Sequence, residues 1–172
     1  VDFPQGPPAL AAGPNGGITL AYQTQSDPLF NLGEGVPVDR FDANGSPILN
    51  PNPGPSWINS AADETSPAIA SFSVVFEDNG GGNKDLHFHI VGPTGLIGAE
   101  FDVALGAGDQ TDAQVATLNS SNFVTAFVTN AAGNQDIGFA IRQSDGTLVT
   151  AGTVEADIAA ESDPSIAVLA GG

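Results

Sequence analysis

The sequence predicts an all-β protein made of three four-stranded antiparallel, blade-like repeats stacked face to face, with an extra terminal strand. Three observations predict it. Segments recur at a fixed spacing, apolar residues alternate at period two within each copy, and Gly- and Asn-rich turns punctuate the runs.

The repeat comes first. Gly95 through Leu118 aligns with Gly146 through Leu169 at a shift of 51 residues, so that Asp112 and Asp163 both lie 17 residues after the leading glycine. Phe76 to Gly95 and Phe127 to Gly146 are both 19 residues, and Asn79, Gly82, Asn83 and Asp85 fall on Asn130, Gly133, Asn134 and Asp136. An earlier copy registers through Gly45, 50 residues before Gly95, and through Leu10 to Ile18, which match the eight-residue step from Val115 to Phe123. The copies are placed at about residues 7–66, 67–112 and 113–163, with residues 164–172 beginning a fourth, all within one domain, 1–172.

In the first copy a strand near Ala9 to Ala12 leads into the turn Pro14-Asn15-Gly16-Gly17, and Ile18, Leu20 and Tyr22 alternate beyond it. Asn44-Gly45 marks a hairpin turn, because its residues accept positive φ at little cost. Residues 50–66, rich in Pro and Asn, carry four extra positions and read as a long surface loop that holds Trp57. The second copy offers Phe72, Val74 and Phe76 at period two and a turn at Thr94-Gly95, and the third offers Phe123, Thr125 and Phe127 and the turn Asp145-Gly146. Between these residues stand Thr19, Ala21, Ser73, Val75, Val124 and Ala126, small or apolar, as suits strands covered on both faces. The alanine-rich stretch before Pro164 repeats a strand register, which argues against a helix.

Twenty acidic residues against Arg40, Lys84 and Arg142 give a net charge of −17, which repels nucleic acid and anionic lipid. Charged residues total only 13%, so the acid is dispersed through a foldable chain. There is no cysteine, and no 18-residue apolar run to cross a membrane. The chain begins at Val1 and has no methionine, which reads as a processed chain or a fragment.

The phrases RFDANGSPI at 40–48 and SDPSIAVLAGG at 162–172 resemble signatures of acidic blade-like repeats in very large secreted bacterial surface and adhesin proteins. Those proteins often carry hemolysin-type calcium-binding repeats as well. The resemblance extends over residues 7–172 and implies a β-propeller-like arrangement or an open stack, secretion, and adhesive or matrix roles. The tandem Gly-Gly-x-Gly-x-Asp nonapeptides of the calcium-binding repeats are absent, which puts that route to calcium in doubt.

Four groups of residues are candidates for chemistry. Asp109 and Asp112, with Glu161 and Asp163 in the same places one copy later, are candidate calcium ligands, since hard cations take carboxylate and carbonyl oxygens. Asp is also an ordinary turn former. His87 and His89, two apart on a strand, share a face and are candidates for zinc or copper, with Asp85 or Glu100 as a further oxygen ligand. Gly138 and Ala140 stand in their places in the next copy, so the alternative is an exposed strand face. Asn83, Asp85, Asn134 and Asp136 belong to the most faithfully repeated turn, read either as an Asx-stabilised hairpin loop or as a glycan-binding loop, for which Trp57 or Tyr22 would supply an aromatic platform.

No nucleophile elbow, Walker loop or His-Glu-x-x-His is present, and no carboxylate pair stands out, so the expectation is not an enzyme. The expected role is an extracellular or cell-surface structural or adhesive protein, assembling with copies of itself through edge or terminal strands. The alternative is a lectin-like module that binds surface glycans, with calcium as the conceivable cofactor. Nucleic acid and membrane insertion are not expected.

Overall fold

In a computed structural model, the described residues are 6–13, 16–25, 34–48, 56–60, 62–92, 95–104, 106–131, 133–155 and 158–169. They form twelve strands and no helix. The first sheet comprises β1 (Ala9–Ala12), β2 (Ile18–Ala21), β3 (Val36–Phe41) and β4 (Ser56–Ile58). The second comprises β5 (Glu64–Ala70), β6 (Ser73–Asp78), β7 (Asp85–Gly92) and β8 (Gly95–Ala104). The third comprises β9 (Gln110–Thr117), β10 (Asn122–Thr129), β11 (Asp136–Gln143) and β12 (Leu148–Glu155). Each sheet is an antiparallel meander in chain order, and the first strands lie against one another, β5 touching both β1 and β9. Three four-stranded blades therefore stack, as the repeat predicts.

Directly paired residues share a face of a sheet, so the register fixes what each side meets. Phe76 pairs with His87 and Val75 with Phe88, which places Phe76 and Val74 toward the first sheet and Val75 and Phe88 toward the third. Two cores follow. Ala21, Val36, Val38 and Ile58 pack on Val74, Phe76 and Val91 at the first junction. Val75, Leu86, Phe88 and Val103 pack on Ala113, Phe123, Phe127 and Ala140 at the second. Phe88 meets Phe123 edge-on at 4.7 Å between ring centroids, a geometry that adds to the area both rings bury. The middle sheet is covered on both faces, so that Val74 and Val75, neighbours on β6 that point opposite ways, are both fully buried.

The first strands of the second and third sheets carry a matching irregularity. Two residues, Ser66 and Pro67, oppose Phe76, and Asp112 and Ala113 oppose Phe127, with φ at Ser66 and Asp112 of 50° and 54°. This is a β-bulge, whose left-handed residue bends the strand opposite the core phenylalanine. Asn44-Gly45 and Asp145-Gly146 turn as expected, their glycines at φ 79° and 91°.

Four expectations need correction or lie elsewhere. The stretch 50–66 is not one loop: β4 and the start of β5 lie inside it, because Trp57 pairs with Pro37 and Glu64 with Asp78, and its residues 50–55 fall outside the described set. Phe72 does not continue the alternation of Val74 and Phe76. It sits in the tight turn before β6 and packs on Phe123 at 6.2 Å, across the other junction. The expected terminal strand, 164–170, takes no sheet partner over its described residues 164–169 and is not a strand there. Pro14, Asn15, Thr94 and residues 170–172 lie outside the described residues.

Candidate functional site

The loops between the second and third strands of the second and third sheets carry the most faithfully repeated residues, and each meets the connection that leaves its own sheet. Asn83 donates through Nδ2 to Asp85 Oδ1 at 3.1 Å and to the carbonyls of Gly106 and Gly108 at 3.2 and 2.9 Å. Asn134 repeats this, donating to Asp136 Oδ1 at 2.9 Å and to the Ala159 carbonyl at 3.2 Å. Each asparagine thus grips both its own strand and the connection that leaves its sheet.

A second pair of asparagines completes the joint. Asn79 and Asn130 accept through Oδ1 from the backbone N–H groups of Asp63 and Asp109, at 3.1 and 2.6 Å. Asp63 and Asp109 in turn accept through Oδ1 from the N–H groups of Glu34 and Lys84, at 3.0 and 2.9 Å. One residue on, the N–H groups of Glu64, Gln110 and Glu161 donate to the carbonyls of Glu34, Lys84 and Gln135, at 3.0, 2.7 and 2.9 Å. The conserved spacing within the chain therefore encodes a latch that ties each blade's loop to the start of the next first strand. Buried connections need partners for their backbone groups, and these amides and carboxylates supply them. Sequence reading found the asparagines but missed Asp63, because the first connection differs in length.

The candidate calcium ligands are distributed along this latch. Asp109 serves Lys84 as described. Asp112 projects to solvent and accepts from Thr111 Oγ1, while its N–H donates to Glu77 Oε1 at 3.1 Å. Glu77 is buried and is also held by Lys84 Nζ at 2.7 Å, so the acid is compensated. Asp163 accepts from Ser162 Oγ at 2.8 Å, and Glu161 is half-buried. Among the described residues no three His, Asp or Glu side chains are grouped to hold a metal ion.

His87 and His89 lie on the face of β7 that meets the first sheet, not on an open face. Their rings stack on Phe76, with centroids at 6.1 and 6.2 Å. In the third sheet Phe127 instead lies over Gly138, where an added Cβ would come within 2.7 Å of the ring. Glu100, on β8, reaches both imidazoles: Oε1 is 3.1 Å from His87 Nδ1 and Oε2 is 3.7 Å from His89 Nε2, while Asp102 Oδ1 is 3.4 Å from His87 Nδ1. Asp85 is engaged with Asn83 instead. Contact with Glu100 raises the His87 pKa above the ordinary histidine value against the opposing effect of burial, and the neighbouring charges of Glu100, Asp78 and Asp102 add to it. Burial lowers that of His89. The two imidazoles thus lie between the Phe76 ring and the carboxylates of β8, with His87 the one favoured to carry charge.

Glu64 is a feature the sequence did not single out. It is fully buried, its Oε1 accepts from the Ser60 N–H at 2.9 Å, and its Oε2 has no hydrogen-bond partner. Burial raises its pKa. The repeat offered the signal, since Gln110 and Glu161 hold the same place. Trp57 lies on β4 of the first sheet, about half exposed, whereas the rim asparagines belong to loops of the second and third sheets.

No protein-family model matches the chain, and no curated protein matches it. No helix of the described residues is long and apolar enough to cross a membrane.

Proposed function

We propose that the chain is an extracellular or cell-surface structural or adhesive repeat module that assembles with copies of itself. The observation that supports this best is the use of its repeated polar chemistry. The residues that recur most faithfully, Asn79, Asn83, Asn130 and Asn134, join one blade to the next rather than converge on a pocket. Repeats selected for their joints suit a load-bearing or surface-presenting array, whose stability is a sum of units and interfaces. The acidic surface and the resemblance of the 40–48 and 162–172 phrases to secreted surface repeats support an extracellular setting.

Light scattering on the full chain and on a chain ending at Asp163 tests the reading. The full chain is expected to exceed its 17.3 kDa monomer mass at high concentration, and the shortened chain to fall back toward it. A monomer in both cases overturns self-assembly. A glycan array on the same samples addresses binding: reproducible capture of one sugar class, lost in Trp57→Ala or Asn134→Ala, would replace this reading with the lectin-like one.

A further inference from the structure

The two blade junctions share a register but fill it differently. Phe76 pairs with His87 as Phe127 pairs with Gly138. At the first junction the space beside Phe76 holds the rings of His87 and His89, with Glu100 and Asp102 reaching them from β8. Fifty-one residues on, the places of these four are taken by Gly138, Ala140, Ala151 and Thr153. Small side chains there leave a cleft of about 240 Å³ beside Phe127, where the end of β8 meets the third sheet.

The lining suits an uncharged ligand with both apolar and polar sides. None of the described lining residues is charged, and neither Trp57 nor any of the repeated asparagines is among them. Phe127, 6% exposed, supplies an aromatic wall. Thr129 and Thr153 bring hydroxyls to the same face of the sheet, because Thr129 pairs with Gln110 and Thr153 with Gly138. Gln110 sets the polarity. It is 3% exposed and lines the cleft; its Nε2 donates to the Gly108 carbonyl at 2.8 Å, and its Oε1 has no hydrogen-bond partner. A buried amide oxygen without a donor is unfavourable, and a hydroxyl brought by a ligand removes that cost.

We propose that this cleft binds a single neutral sugar ring, with its C–H groups against Phe127 and a hydroxyl donating to Gln110 Oε1. Its volume falls below the roughly 300–1,000 Å³ of sites for drug-sized ligands, so it suits one ring rather than a chain. An ionic ligand meets no counter-charge in the lining, and the net charge of −17 disfavours anionic sugars in particular. Aromatic carbon beside amide and hydroxyl groups matches a ring that presents C–H on one side and O–H on another. The site gives an adhesive module a ligand. It does not rest on self-assembly, which light scattering reads separately.

The test titrates the full chain with glucose, galactose, mannose and N-acetylglucosamine, and with glucuronate as an anionic ring of similar size. NMR follows the backbone amides of Gly138 and Thr153 and the side-chain amide of Gln110. At least one neutral sugar is expected to shift these signals saturably, with a Kd of roughly 1–10 mM, as about a dozen non-hydrogen atoms imply. Glucuronate is expected to bind roughly tenfold more weakly or worse. Ala151→Leu, at an exposed position on β12, places a larger side chain in the cleft and is expected to weaken sugar binding roughly tenfold or more while its urea midpoint stays near wild type. Gln110→Ala removes the acceptor and is expected to weaken binding as well. No saturable shift with any neutral sugar up to roughly 50 mM, well above the expected Kd, overturns the site. So does binding undiminished in Ala151→Leu, which places the sugar elsewhere. Glucuronate binding as tightly as the neutral sugars overturns the ligand class. Each of these outcomes leaves self-assembly standing.

Discussion

Asp112 and Asp163 hold the same left-handed backbone, φ 54° and 53°, but only Asp112 lies in a ladder, where it and Ala113 oppose Phe127. At Asp112 the conformation is secured by the N–H bond to Glu77 Oε1; Val128 stands one repeat after Glu77 and has no such acceptor. The bulge is thus written into the first strand's own sequence. Aspartate tolerates this region and β-branched residues do not, at a cost of about 1–2 kcal/mol. Asp112→Val is expected to destabilise by that amount while Asp112→Asn changes little, as read by urea titration. Equal stability in the two variants would mean the left-handed turn is not required.

Phe127 fills the second junction, 6% exposed and lying over Gly138. Its truncation to alanine removes a full ring from a packed core, and Phe127→Ala is expected to lose about 3–5 kcal/mol. A loss below about 1 kcal/mol would reverse the assignment of faces on β10.

Glu64 offers a stabilising change. A carboxyl whose folded pKa is raised contributes stability at low pH and loses it as pH rises through that raised value. At neutral pH the buried carboxylate is therefore a liability. Gln110 shows what the site accepts: its Nε2 donates to the Gly108 carbonyl at 2.8 Å. Glu64→Gln is expected to gain about 1 kcal/mol at neutral pH, and the gain should shrink in acid. A variant less stable than wild type at pH 7 would show that the charge has a compensating partner.

His87 carries the opposite dependence to its neighbour. Its raised pKa, set by the Glu100 contact, contributes stability that is complete below the ordinary histidine value and fades as pH rises through the raised one. His89, lowered by burial, withdraws stability as pH falls below the ordinary value. Glu100, lowered by His87, does so further into the acid range. Wild type minus His87→Gln, measured by urea midpoints, is therefore expected to decline with rising pH just above the ordinary histidine pKa. Parallel profiles through that window would show that the Glu100 and Asp102 contacts are not formed in solution.

The blades were legible because a meander repeats its own signals: alternation at Ile18 and Leu20, turns at Asn44-Gly45 and Asp145-Gly146, and a 51-residue shift that two copies obey. What escaped was set by pairing across the chain. β4 is three residues in a proline-rich stretch and is a strand only because Val36, Pro37 and Val38 lie beside it. Phe72 fits the alternation on paper, but the turn after Ala70 takes it out of the strand. The rim asparagines were visible as a motif, yet their partners, backbone groups of Asp63, Gly108 and Asp109, carry no side-chain signature that spacing could expose. The histidine pair looked like a strand face, and only the register of β8 brings Glu100 and Asp102 beside it.

Hydrogen exchange at the amides of residues 165–169 bears most directly on the proposed self-assembly, because this segment repeats the register of β9 without a partner strand among the described residues. These residues take no sheet partner among the described residues. Their exchange is expected to be unprotected when the protein is dilute and to slow together, strand-like, as concentration and salt rise, while β6 and β7 stay protected throughout. Exchange at 165–169 that is equally fast at every concentration would contradict the account.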